Sequence, residues 1–411
     1  MDIAPNERAD KYFSHELTPD DAHRFWSRRK RVYEAHENGV LSDALLDYYQ
    51  DAASEFYTIE MNGDELTRPI LSPDEWRQPT RDLSSVIGSI SHEMETRYDS
   101  ASLMNQLEGM GYCLVEKQGI ELPTQIDLGE YLYNGLTYGV TRARLVDGKP
   151  VFDIGLTDYF SYLSTSEALL QDTYDVLLTD GTVETERRAQ LIPTVDDLLS
   201  LSNTVNKVGM VVLLGLARED GGVDILVSRR SNIVLEYPGH YSLVPAGAAQ
   251  PLHGDLYDAD LELTILREFA EEVLDFPETT SLDFEEEVDA TTALTAYKQC
   301  EPLNKLYTAL HEGEIDLWYT NASVSALNGK FDMGGLLYIH DKDTARWVRE
   351  NMSSNWESSD YELIRHPVSE VPELYTSHTL APSAYVTLCE GLTLLRDEYG
   401  APLGFDIETG L

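Results

Sequence analysis

The chain has 411 residues, and its 73 Asp and Glu outnumber 30 Lys and Arg to give a formal charge of −43. A hydrophobic content of 42% with 24 Tyr excludes intrinsic disorder, because the apolar residues are plentiful and recur periodically. Only nine of the 30 cations are Lys, and this acidic, Lys-poor balance reads as halophilic adaptation, in which high salt screens the self-repulsion. The charge argues against a dominant nucleic-acid face. No apolar run approaches the ~20 residues that span a membrane, so no membrane partner is expected. Cys113, Cys300 and Cys389 are far apart and show no ligand spacing, which points to reduced thiols, no zinc and a cytoplasmic location. Residues 1–8 have neither the basic region nor the apolar core of a signal peptide.

The length suggests two domains, with a boundary near residue 203: an α+β region over 1–202 and a second unit over 203–411. Residues 19–60 read as two helices. Thr18 caps the first, Pro19 opens it, Asn38-Gly39 breaks the pattern and Ser42 caps the second. Arg28-Arg-Lys-Arg31 is the only basic cluster. It suits a DNA-binding helix pair or, more simply, a plain αα-hairpin with Trp26 and Tyr33 inward and its Arg residues paired to acids. Residues 62–100 are polar and turn-rich, with Pro69, Pro73 and Pro79, and read as a wrapping or linking segment. A small β-rich unit near 110–165 follows. Tyr112–Glu116 reads as a strand, and 138–144 and 149–154 flank an Asp147-Gly148 hairpin turn. A helix is expected from Thr157. Arg142 and Arg144 could hold a phosphate or pair with local acids.

Beyond 203, Val208–Arg218 reads as a buried strand and Asp224–Arg230 as a second, joined by the Glu219-Asp-Gly-Gly222 turn. Tyr241–Gly247 is a third strand that runs into a Pro/Gly bend. An amphipathic helix from Asp260 to Leu274 follows and carries Arg267-Glu268-Phe269-Ala270-Glu271-Glu272. At 100° per residue, Glu268, Glu271 and Glu272 fall within about 100° of arc, while Leu266, Phe269 and Val273 face a core. Three like charges on one face repel unless a cation compensates them, and oxygen-only ligands suit Mg²⁺ or Mn²⁺. Arg267, one turn before Glu271, can orient that carboxylate through an i,i+4 pair. The plainer alternative is a solvated acidic face. Glu285-Glu-Glu287 invites a role as a further ligand or an exposed turn. Strands are expected at 315–320 and 336–340, a short helix at 343–349, and a C-terminal helix from Pro382 to Arg396.

The order strand, Pro/Gly turn, acidic helix resembles the Nudix family of pyrophosphohydrolases. Arg267-Glu268-Phe269-Ala270-Glu271-Glu272 is similar to the core of that family's box, and Pro245-Ala246-Gly247 resembles its Pro-Gly-Gly turn. The upstream half departs from the pattern. The loop through Gln250–Asp255 is about six residues too long, Asp260 is the nearest counterpart of the upstream Glu, and Leu274 stands where a Gly is usual. The resemblance covers roughly residues 205–400. It implies an α/β/α sandwich with a mixed sheet behind an N-terminal α+β domain of unknown fold. It also implies a metal-dependent hydrolase that cleaves the pyrophosphate bond of a nucleoside-diphosphate-linked small molecule. Glu268, Glu271 and Glu272 would be the metal ligands, Glu271, Glu272 and Arg267 the catalytic group, and Gly247 a substrate contact; any phosphate clamp must come from elsewhere, with Arg229 and Arg230 at the end of the second strand as candidates or plain salt-bridge partners, and Tyr241 or Trp318 either stacking on a base or simply part of the core. The rival expectation is a Nudix-like domain that senses a nucleotide-like ligand without turnover, joined to a regulatory module. A third is a catalytically silent structural partner.

Overall fold

The computed structural model describes residues 19–95, 112–117, 120–125, 136–230, 237, 239–250, 259–276, 301–353, 358–376 and 379–409. Thr18, the Glu285–Glu287 run, Cys300 and residues 251–255 of the long loop lie outside the described residues, as does the side chain of Trp26.

The fold is α+β. Helices α1 (Pro19–Glu37) and α2 (Val40–Tyr48) form the expected pair, turning at Gly39 in a left-handed conformation with φ 72°. The second helix stops well short of residue 60. Phe56–Met61 is strand β1, paired with β2 (Asp64–Leu71) across Asn62-Gly63. The alternation of Tyr57, Ile59 and Met61 with Thr58 and Glu60 is a strand period, which overrides the helical reading of that stretch. Then come β3 (Ile87–Glu95), β4 (Tyr112–Lys117), β5 (Ile120–Gln125), β6 (Leu136–Val146) and β7 (Lys149–Asp158). Strands β3, β7 and β6 make a three-stranded sheet, and β4 pairs with β5. Residues 157–158 stay in β7, and the helix expected from Thr157 begins as α3 (Tyr159–Tyr162), where Asp158 caps the Ser161 amide at 2.8 Å. One π turn leads into α4 (Ala168–Asp180), followed by α5 (Glu186–Leu191) and α6 (Val195–Ser200).

The second half builds the main sheet from β8 (Gly209–Ala217), β9 (Val223–Arg230), β10 (Tyr241–Leu243), β11 (Ala246–Ala248), β12 (Ile315–Ser325), β13 (Phe331–Ile339), β14 (Ser358–Pro367) and β15 (Ile407–Thr409). Its helices are α7 (Leu261–Leu274), α8 (Leu303–His311), α9 (Lys342–Asn351), α10 (Val371–Thr376) and α11 (Pro382–Tyr399). The ten-stranded sheet runs β10-β9-β8-β13-β12-β2-β1-β15, with β11 on β8 and β14 on β9. It is mixed: β8 lies parallel to β13, while its neighbours pair antiparallel.

Alternation along β8 separates two cores. Met210, Val212, Leu214 and Leu216 join Leu266, Phe269 and Val273 of α7 and Leu306 of α8. Val211, Leu213 and Ala217 join Val386, Leu388 and Leu392 of α11 on the other face. A period of two thus places one helical layer on each side of the sheet.

The sheet does not stop at residue 203. Strand β2 pairs with β12 through Leu71–Val324, and β1 pairs with β15 through Ile59–Thr409. Phe56, Trp76, Tyr138 and Phe152 belong to the same apolar cluster as α7. Arg188 also ties the two halves together. It is 0% exposed and donates to Tyr49 Oη (3.1 Å), Thr173 Oγ1 (2.9 Å) and the carbonyls of Val183 (3.1 Å), Ala326 (2.7 Å) and Leu327. No described helix is long and apolar enough to cross a membrane.

Candidate functional site

Helix α7 begins where Asp260 accepts a hydrogen bond from the Leu263 amide at 2.9 Å and ends at Asp275, left-handed with φ 52°. Asp260, the nearest counterpart of an upstream box carboxylate, is thus engaged as an N-cap. The strand expected over 241–247 is split into β10 and β11 around the cis Val244–Pro245 peptide. This break brings β11 alongside β8, under the polar face of α7.

That face meets β11 through its acids. Glu272 Oε2 accepts from the Ala246 amide at 2.7 Å. Glu268 lies against Gly247 so closely that a Cβ there would come within 2.6 Å of the Glu268 Cγ and closer still to its carboxyl. Arg267 Nη1 donates to Glu271 Oε2 at 2.9 Å, Nη2 donates to Glu268, and Nη2 also reaches the Ala248 carbonyl at 3.5 Å. The i,i+4 pair read from the sequence is present. The expectation of a solvated face does not describe this helix: Glu271 is 5% and Glu272 7% exposed. Gly247, Arg267, Glu268, Glu271 and Glu272 form one cluster.

Behind the cluster, the chain before residue 203 supplies a brace that sequence reading missed. Tyr138 N and Thr137 Oγ1 both donate to the Ala249 carbonyl, at 3.2 and 3.1 Å, just beyond β11. Val208 N in turn donates to the Tyr138 carbonyl at 2.7 Å. These contacts join positions more than 60 residues apart, for which a single sequence offers no local signal.

Other candidates lie elsewhere. Arg229 and Arg230 end β9, where Arg229 Nε donates to the Gly239 carbonyl at 3.4 Å and Arg230 N to the His240 carbonyl at 2.8 Å. Tyr241 and Trp318 pack on the face that holds α11, opposite α7, so neither stands beside the carboxylates. The Trp318 indole donates to Tyr399 Oη at 2.8 Å, with the Arg81 guanidinium 4.6 Å from its ring centroid. Arg144 is paired with Asp153 at 3.0 Å, and this hydrogen bond, reinforced by Ser89, holds the Asp153 carboxyl down to about 2. In the basic cluster, Arg28 pairs with Asp175 at 2.8 Å and Arg31 donates to the Leu178 carbonyl at 2.6 Å, so both reach across to α4. Cys389 is a buried free thiol.

The cluster's donor atoms are carboxylate oxygens, which fit a hard divalent ion. Their arrangement is closed rather than open: Arg267 bridges Glu268 and Glu271, and among the described residues no group of three or more His, Cys, Asp or Glu is placed to hold a metal.

No family model matches the chain, and no curated protein matches it. Among solved structures, the crystal structure of a Nudix hydrolase from M. smegmatis, RenU, is similar over 48% of this chain and 89% of that one, at 14% identity and a TM-score of 0.27. A likeness of that size assigns no family.

Proposed function

We propose that the chain is a Nudix-type hydrolase that cleaves the pyrophosphate bond of a nucleoside-diphosphate-linked small molecule, with Mg²⁺ or Mn²⁺ held by Glu268, Glu271 and Glu272. The observation that carries this reading is the burial of Glu271 and Glu272 beside Arg267 on one face of α7, directly over Gly247 and Ala246. Burying carboxylates costs several kcal/mol unless they are held by partners, roughly as for any desolvated ion. A helix that only had to pack would carry apolar residues at these positions.

Each residue has a distinct part in this proposal. The Ala246 amide fixes one oxygen of Glu272, Arg267 orients Glu271 and Glu268, and Gly247 leaves room for Glu268 against the strand. When bound, the metal would polarise the diphosphate and lower the pKa of a bound water. Arg229 and Arg230 remain proposed phosphate contacts. The test is nucleotide or phosphate release from a panel of nucleoside-diphosphate compounds, with Mg²⁺ or Mn²⁺, in molar salt.

The closed Arg267 bridge favours a second reading, a ligand-sensing domain without turnover. Binding of a nucleoside diphosphate compound with no product release across the panel would select it.

A further inference from the structure

We propose that the outer edge of β6, over residues 141–146, docks an extended segment of a partner protein that alternates acidic and apolar residues. The proposal is independent of the hydrolase reading.

Strand β6 forms one border of the three-stranded sheet. Its first part is covered. The Tyr138 carbonyl accepts from the Val208 amide at 2.7 Å, Gly139 bridges to Lys207, and the Val140 amide donates to the Asn206 carbonyl at 2.9 Å. A bulge between Val140 and Arg142 then carries the strand past that cover. Among the described residues, no strand pairs with the outer side of 141–146. Unpaired N–H and C=O groups along a strand edge are a template for a further strand.

The side chains define what kind of strand fits. Cross-strand partners share a face, so Arg142, Arg144 and Val146 lie with Lys149, Val151 and Asp153, while Ala143 and Phe152 turn to the core. On the outer face Arg144 is paired with Asp153. Arg142 and Lys149 are exposed, and neither side chain joins an ion pair among the described residues. In a chain of formal charge −43, this face is a local reversal of sign. Val146 on the same face is 40% exposed, and Leu145 on the other is 52% exposed. Charges at an edge commonly serve only to block aggregation, but bare apolar neighbours work against that purpose. Backbone pairing would supply the affinity. Carboxylates on the Arg142–Lys149 face and apolar side chains on the Leu145 face would supply the selectivity. Nucleic acid fits this hairpin less well, because residues 141–151 include no ring on which a base could stack.

The test is titration of the full chain with a labelled peptide of alternating Glu and Val, about eight residues long. Fluorescence anisotropy reads the binding, and amide hydrogen exchange reads protection over 141–146. Saturable binding that slows exchange there is expected, with no binding of the same peptide N-methylated at alternate amides. Arg142→Glu combined with Lys149→Glu should weaken binding about tenfold, since two exposed ion pairs are replaced by repulsion. Both positions are exposed, and circular dichroism checks that the variant keeps its fold. No binding at about 1 mM peptide overturns the proposal. So do unchanged binding in the double variant and equal binding of the N-methylated peptide. Tighter binding of an alternating Lys and Val peptide, or of a labelled oligothymidine, overturns the choice of an acidic partner segment.

Discussion

Gly247→Ala is the sharpest probe of how α7 sits on β11. The added Cβ would lie within 2.6 Å of the Glu268 Cγ and overlap its carboxyl. Gly247 is not among the glycines with positive φ, so the backbone itself accepts Ala. Relieving the overlap means swinging Glu268 away, which breaks its hydrogen bond from Arg267. A charged hydrogen bond of this kind is worth about 1.5–3 kcal/mol. Against it, Gly→Ala at a compatible position stabilises by about 0.4–1 kcal/mol through the unfolded chain. The net cost is about 1–2 kcal/mol. In a Glu268→Ala background the overlap is gone, and the same substitution should stabilise by about 0.4–1 kcal/mol. Urea denaturation of the four proteins of this cycle, in molar salt, measures the coupling. An equal effect of Gly247→Ala in both backgrounds would show that Glu268 does not rest on Gly247.

Three further outcomes are expected. Arg188→Met removes a buried guanidinium that serves the carbonyls of Val183, Ala326 and Leu327, and should cost about 3–5 kcal/mol by urea denaturation; a loss below 1 kcal/mol would contradict its role as a tie. Asp153 is held at about 2, below the ordinary ~3.9, so its stabilisation is present above about pH 4 and lost towards pH 2. The melting-temperature gap between wild type and Asp153→Asn should therefore be open at pH 7 and narrow by pH 3; a constant gap counts against the pairing. A fragment of residues 203–411 lacks β1, β2 and β6 and should show no cooperative unfolding transition, whereas a sharp one would mean that the β2–β12 pairing and the Tyr138–Ala249 brace are dispensable.

Elements with a strong local period were legible in the sequence. Strand β8 was read one residue long at each end, β9 began one residue before its reading, and α7 occupies 261–274 within the span expected. Helix α11 starts at Pro382 as expected, because Pro at the first turn needs no amide partner. Strand β13 was read only from Leu336, after Gly334-Gly335, since glycine has no side chain to carry a strand period. Both glycines are in the strand, and a Cβ at 334 would strike Asn321 and Thr387. The missed hairpin β1–β2 did carry a signal, Asn62-Gly63, both at positive φ, but Pro69 and the polar residues around it hid the strand period. In the site, the Arg267–Glu271 pair follows from helical geometry alone. The burial of Glu271 and Glu272 and the Ala246 anchor do not, since they depend on β11 folding back onto β8. The place of Tyr241 and Trp318 on the α11 side was not legible, because aromatic character says nothing about which face a strand residue takes.

We propose above that Glu268, Glu271 and Glu272 form a metal-dependent hydrolytic site. Its most direct test compares the full chain with Glu271→Gln in molar salt, following product release from nucleoside-diphosphate compounds with and without Mn²⁺. Metal-dependent release is expected from the wild-type chain and a loss of about a hundredfold or more in the variant, with the fold retained. Release that survives Glu271→Gln unchanged would place the active site elsewhere in the molecule.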